Sequence, residues 1–513
     1  MNKRSVAVAA ALAVLVVFPA PGLGAAPTRA TLTTSTTSTP IQHVVIIDEE
    51  NHAFNDILGK YCVEQAQGLI VRAGLNSGCI GTTKATLHNG VTYNLTRELD
   101  SGVNINHGTG TQQTAIDGGK MDGFDQVLGC MATSKMPYGC LSQFDPLNGT
   151  CGASGTSNCL PNIDSYATHF ALSDHTFEFR QTPSWAGHMI LGDASLEHFT
   201  GRNPAGTGST GAGGTIGWGC DSQKYVEWNR SGGIIQIPPC IPDSTGAIDP
   251  WYAIQGYSGR IADYVPTIFD RMSAAGISWK VYGGTNPTGD PTKSTNGGYG
   301  WTICPDFWSC LGNPAEHSHL VKNGQIEHDA ANGVLPQVSF VTPDGGQSAH
   351  PPQSANKGDT WVAKVVGSIM NSPAWASTAI FITYDDCGCF YDPMNPLQYS
   401  QNWGIRVPML IVSPYAKAGY TDTTPATFVS MLTYIEHTFG LNPLNPCATE
   451  DLFLPGCTDD AVDWNGNPTY DFSNAFNYSQ TPLSPVAVLH TGVTSAEQAW
   501  LNAHPNAGTE QAT

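Results

Sequence analysis

Short apolar runs alternate with longer amphipathic stretches along this chain. His43-Val44-Val45-Ile46-Ile47 breaks abruptly into Asp48-Glu49-Glu50-Asn51-His52. An apolar run of this length predicts a strand buried on both faces, as in a parallel sheet. Residues 278–282, 338–342, 379–384 and 407–412 repeat the pattern, and 379–384 runs into Asp385-Asp386. Residues 163–172, 264–275, 361–370 and 426–439 carry apolar positions at helical spacing. This alternation predicts an α/β fold, a parallel or mixed sheet covered by helices on both faces. Residues 130–160 and 200–246 are rich in Cys, Gly, Ser and Asn and read as disulfide-pinned insertions. Residues 441–513 read as an irregular C-terminal extension, with one short helical pattern at 495–503. No internal repeat is visible.

A length of 513 residues suits one large α/β domain with insertions, or two domains. Only 12% of residues are charged, so the surface relies on uncharged polar groups, as suits an extracellular protein. Lys3 and Arg4, an apolar run over 6–18 and small residues from Gly22 to Ala26 form the three parts of a secretory signal, residues 1–26. A Thr/Ser-rich linker, 27–40, follows. The expected location is extracellular or cell-envelope. The apolar run is short for a membrane span, so no stable membrane insertion is expected, an uncleaved anchor being the rival reading.

The fourteen cysteines all follow this segment and read as a disulfide set. Cys304 with Cys310 and Cys447 with Cys457 are near enough in sequence for local pairs. A zinc cluster fits poorly, since no pair of Cys-x-x-Cys units occurs. The net charge of −20 argues against nucleic acid as a partner. An anionic substrate therefore needs a local positive centre, and a bound metal can supply it.

Polar clusters that follow strands lie where open α/β sheets bind ligands. Glu50 and Asn51 follow one predicted strand, and Asp385 and Asp386 another. These are hard oxygen ligands, suited to Ca²⁺, Mg²⁺, Mn²⁺ or Zn²⁺. Helix caps or solvated turns account for either pair taken alone. Ser184, in Thr182-Pro183-Ser184-Trp185, stands at a predicted helix start, where anions are favoured. On these residues alone it reads better as an ordinary helix cap. His107, His188 and His350 are candidate proton donors or phosphate contacts.

Six segments, in order, resemble the bacterial phosphoesterase family of secreted phospholipases C and acid phosphatase A, within the alkaline phosphatase superfamily. They are the 41–47 strand with Glu50-Asn51-His52-Ala53-Phe54, Gly118-Gly119-Lys120-Met121-Asp122-Gly123-Phe124, and Pro183-Ser184-Trp185 through His188 to Ser195. The others are Asn332-Gly333 through Ser339 to His350-Pro351-Pro352, Thr383-Tyr384-Asp385-Asp386 with Phe390-Tyr391-Asp392, and Arg406-Val407-Pro408-Met409 with Ser413-Pro414. The resemblance covers residues 41–440 and implies a three-layer αβα sandwich with a mostly parallel central sheet.

The same resemblance implies that Glu50, Asn51, Asp385 and Asp386 bind one divalent metal and that Ser184 is the nucleophile. His107 and His350 would act on the phosphoryl group, and His188 would touch the substrate. The implied reaction is hydrolysis of a phosphoric ester through a phosphoserine. The substrate is a small-molecule or lipid phosphoester, with acid-phosphatase-like and phospholipase C activities as the two enzyme readings. A third reading is an inactive binding protein on the same scaffold. The formylglycine signature of sulfatases, Cys-x-Pro-x-Arg, is absent. Two departures from the family pattern bear on substrate shape: Pro393 where His is frequent, and Thr427-Phe428 where Asp-His is frequent. Cys387 and Cys389 flank the metal-site loop, where a local disulfide would stiffen it.

Overall fold

The computed structural model describes residues 39–98, 100–130, 138–148, 159–206, 218–229, 233–283, 302–444 and 470–489. The expected signal peptide, most of the linker, the 495–503 helix and the Cys447–Cys457 pair lie outside them.

Eight strands form the central sheet. They are β1 (His43–Glu49), β2 (Ala171–Ser173), β3 (Trp279–Tyr282), β4 (Leu320–Val321), β5 (Val338–Val341), β6 (Thr378–Tyr384), β7 (Met409–Val412) and β8 (Thr421–Asp422). Their spatial order is β4-β3-β5-β1-β6-β7-β2-β8. β7 runs against both its neighbours, and every other pairing is parallel. The centre is the longest and most apolar part. β1 pairs along its length with β6, Val44 to Ala379 through Glu49 to Tyr384. Every residue of β6 is buried, as a strand covered on both faces requires.

Ile46 stands level with Phe340 on one side and Phe381 on the other. On that face Phe340 meets Phe269 of the helix Ile268–Ala275, and Phe381 meets Tyr434 of the helix Val429–Phe439. The helices Pro161–His169, Gln325–Ala331 and Ala355–Met370 pack together as the opposite layer. The result is the expected α/β sandwich with a mostly parallel sheet.

Several boundaries differ from expectation, each for a local reason. The 163–172 pattern is a helix only to His169; Phe170 is extended, and Ala171–Ser173 joins the sheet against β7. The 264–275 helix begins at Ile268, because Thr267 and Asp270 form a reciprocal cap. The 361–370 helix begins earlier, at Ala355, where the Ser354 side chain accepts from Lys357 N–H. The 426–439 helix begins at Val429, since Ala426–Thr427 pairs with Thr176–Phe177.

Disulfides join Cys62–Cys79, Cys130–Cys140, Cys220–Cys240 and the expected Cys304–Cys310. Cys220–Cys240 closes around a hairpin, Val226–Asn229 with Ile234–Ile237, inside the 200–246 insertion. Cys387 and Cys389 remain thiols, their Sγ atoms 3.9 Å apart. The loop between them is shaped by other contacts. Gly388, at φ +53°, packs on the Asn51 carbonyl and donates its N–H to Asp386 Oδ1 at 2.7 Å.

Candidate active site

The register of the two central strands builds the floor of the site. Glu49 lies opposite Tyr384, so the next residues of each chain, Glu50-Asn51 and Asp385-Asp386, emerge side by side. Asn51 N–H donates to Asp385 Oδ1 at 2.8 Å and locks the two loops together. Asn51 adopts φ +57°, a conformation Asn tolerates better than most residues.

Ser184 is the first residue of the helix Ser184–Asp193. That helix comes very close to the carboxylate loop: a Cβ on Gly187 would lie 2.4 Å from the Asp385 carbonyl oxygen. Ser184 Oγ donates to Asp386 Oδ2 at 3.0 Å and accepts from Asn51 Nδ2 at 3.2 Å. The same Asn51 amide donates to Asp386 Oδ1 at 2.9 Å and to His107 Nε2 at 3.1 Å.

His107 directs Nδ1 at the Ile105 carbonyl, 2.8 Å away. The proton therefore sits on Nδ1, and Nε2 is the basic nitrogen facing Asn51. His350 is fixed in the same way by Pro351 O at 2.6 Å, and the two rings are 6.2 Å apart. His350 is held through its neighbour Ala349, whose carbonyl meets His52 Nε2. Burial lowers the pKa of His52 to about 3 and raises that of its partner Asp56 well above the carboxylate range. Seven predicted residues, Glu50, Asn51, His107, Ser184, His350, Asp385 and Asp386, thus meet at one end of the sheet.

His188 is enclosed by carboxylates. It is 0% exposed, with Nδ1 3.1 Å from Asp48 and Nε2 3.1 Å from Glu50. Burial opposes its protonation, but the two carboxylates outweigh burial and raise its pKa well above the ordinary value. Asp48 belongs to this group too, although the sequence showed it only as part of a polar cluster after a strand. Asp392, in the fifth resembling segment, pairs with Arg406 at 2.9 Å beneath the site.

The donor set suits a cation. Asp48, Glu49, Glu50, Asp385 and Asp386 are each 1% exposed or less, a concentration of buried carboxyl groups that a cation would compensate. Glu50, His188 and Asp385 each present a ligand atom within 4.8 Å of the others. Asp385 Oδ2 and Asn51 Oδ1 are buried without a hydrogen-bond partner. Asn51 turns its amide nitrogen, not this oxygen, toward Asp386 and Ser184.

The chain is similar to several known proteins. A non-hemolytic phospholipase C of Burkholderia pseudomallei is 26% identical over 262 residues, covering 41% of this chain and 35% of that protein. Phospholipase C B of Mycobacterium tuberculosis is 25% identical over 262 residues, 45% of each chain. The chain thus matches less than half the length of these curated relatives. A solved alkaline phosphatase superfamily protein from Vibrio parahaemolyticus aligns over 68% of this chain and 83% of its own, with 14% identity and a TM-score of 0.29. The model of the Phosphoesterase family matches residues 41–442, most of the chain and every segment that builds the site, so this protein belongs to the Phosphoesterase family.

Proposed function

We propose that this protein hydrolyses phosphoric esters through a phosphoserine formed on Ser184. The observation that carries the reading is the placement of Ser184 Oγ. It stands at a helix N-terminus, hydrogen-bonded to Asp386 and Asn51, with His107 close by. Asp386 orients the hydroxyl, and Oγ attacks phosphorus as the bond to the leaving alcohol breaks. His107 and His350 flank the phosphoryl oxygens, and the proton that Ser184 Oγ gives up passes by way of an unprotonated histidine Nε2 to the oxygen of the leaving alcohol. Water then cleaves the phosphoserine.

Glu50, Asp385, Asp386 and Asn51 Oδ1 would be the oxygen donors for one divalent cation. His188, clamped by Asp48, supports them by orienting Glu50 from behind. When bound, the cation supplies positive charge that stabilises the phosphoryl oxygens in the transition state. The expected small-molecule phosphomonoester remains one substrate class. The names of the curated relatives favour a second, the phosphodiester of a phospholipid. Parallel assays on p-nitrophenyl phosphate and p-nitrophenyl phosphorylcholine separate the two.

Ser184→Ala tests the core of the reading. Turnover should fall by about 10⁴-fold or more while folding and metal content persist. Acid quenching of the wild type with labelled substrate should trap phosphate on Ser184. A Ser184→Ala enzyme with near-normal turnover would refute the assignment.

A further inference from the structure

Glu178 and Gln112 belong to none of the segments that carry the proposed chemistry, yet they touch three of them. Glu178 is 1% exposed. Its Oε1 accepts from Cys387 N–H at 2.8 Å, the residue after Asp386. Its Oε2 accepts from Gln112 Nε2 at 2.7 Å. That amide also donates to Thr182 O at 3.0 Å, two residues before Ser184, and more distantly to His107 O at 3.4 Å. The backbone of Glu178 is itself fixed, accepting Gly404 N–H at 3.0 Å. A Cβ on Gly404 would fall 2.6 Å from Glu178 Oε2 and 2.8 Å from Gln112 Oε1, so the surroundings are shaped around both side chains.

We propose that Glu178 and Gln112 form a positioning bridge that sets the spacing of Asp386, Ser184 and His107. This rests on the phosphoesterase reading above and adds residues to it. A buried carboxyl group is costly to keep in a core, and an apolar side chain would fill this space more cheaply. Its two oxygens are spent on the metal-site loop and on Gln112. Gln112 in turn spends its two N–H groups on Glu178 and on the backbone leading to the nucleophile. The bridge ties the segments at His107, at Thr182 to Ser184 and at Asp386-Cys387 directly to one another.

The test uses Glu178→Gln and Gln112→Ala. Glu178→Gln keeps an acceptor for Cys387 but turns an amide nitrogen against that of Gln112. Gln112→Ala removes the arm to Thr182 and leaves the Cys387 contact intact, so it carries the test if Glu178→Gln does not fold. Turnover per active site, counted by phosphoserine trapping, should fall about tenfold to a hundredfold in each, as small misplacements of reacting groups do. KM for p-nitrophenyl phosphate and metal content should change little. The double variant should fall no further than the worse single one, because both act through one bridge. Lowered melting temperature with wild-type turnover per active site, or losses that multiply in the double variant, would overturn the proposal. Ser184→Ala separates the two readings. If it is active, the site assignment fails. If it is dead while both bridge variants turn over normally, only the bridge fails.

Discussion

Asp306 is buried in the core, where Trp185 Nε1 donates to its Oδ1 at 3.0 Å. Burial raises its pKa from 3.8 to about 8 in the folded protein. Between those values the native state holds a proton that the unfolded chain has released. Stability contributed by this group is therefore present at low pH and declines as pH rises from about 4 to about 8, by at most about 1.4 kcal/mol per pH unit. Asp306→Asn keeps an acceptor for Trp185 and removes the titration. The stability of the variant relative to wild type should increase steadily across that range in thermal melts at constant metal. A difference independent of pH would show that Asp306 is ionised in the native state. The same scale explains what could be read beforehand. Glu50, Asn51, Asp385 and Asp386 were legible as candidates because each pair follows an apolar strand, and the family resemblance gave them their role. Glu178 and Gln112 were not, because their partners lie 66 and 209 positions away and nothing in Glu178-Phe179-Arg180 marks a contact.

The helix Ser184–Asp193 carries the nucleophile at one end and a purely structural contact at the other. Gly187 faces the Asp385 carbonyl, and a Cβ there would come within 2.4 Å of it. Gly192 faces the Phe307 ring, and a Cβ there would come within 2.3 Å. Both Gly187→Ala and Gly192→Ala should therefore cost stability, about 1–3 kcal/mol for overpacking. Their effects on turnover should part. Gly187→Ala forces the helix away from the carboxylate loop and moves Ser184 relative to Asp386, lowering kcat about 100-fold. Gly192→Ala strains the far end and should leave kcat near wild type. Equal effects on kcat would mean that the helix does not set the distance between Ser184 and Asp386. The strands were the most readable elements, because burial on both faces writes a continuous apolar run such as Ala379-Ile380-Phe381-Ile382. Helix starts were less readable, being set by Thr267 and Ser354 caps and, at Ala426–Thr427, by pairing with a distant segment. The β2 strand was missed because three residues after a helix carry no period of their own.

Across the molecule, the described residues form one unit, and the C-terminal ones among them take part in it. The sequence made 441–513 an irregular extension outside the resemblance. Residues 470–489 are indeed mostly irregular, yet Phe472, Ala475 and Phe476 are buried in the main core. Phe476 stacks on Tyr434 with ring centroids 5.0 Å apart, and Tyr434 packs in turn on Phe381 of the central strand β6. Composition hid this, because a few aromatic anchors in a polar, proline-rich stretch give no periodic signal. The consequence is energetic. If the segment were an appendage, Phe476→Ala would cost well under 1 kcal/mol. As a layer of the core it should cost about 3–5 kcal/mol, the usual range for truncating a buried Phe. Denaturant unfolding followed by tryptophan fluorescence should show that loss as a shifted midpoint with an unchanged slope, because the segment and the sheet unfold together. Activity at low denaturant should persist, since Phe381 lies within β6 and the site is built from residues beyond its end. A separate early transition in the wild type, unaffected by Phe476→Ala, would detach this segment from the core.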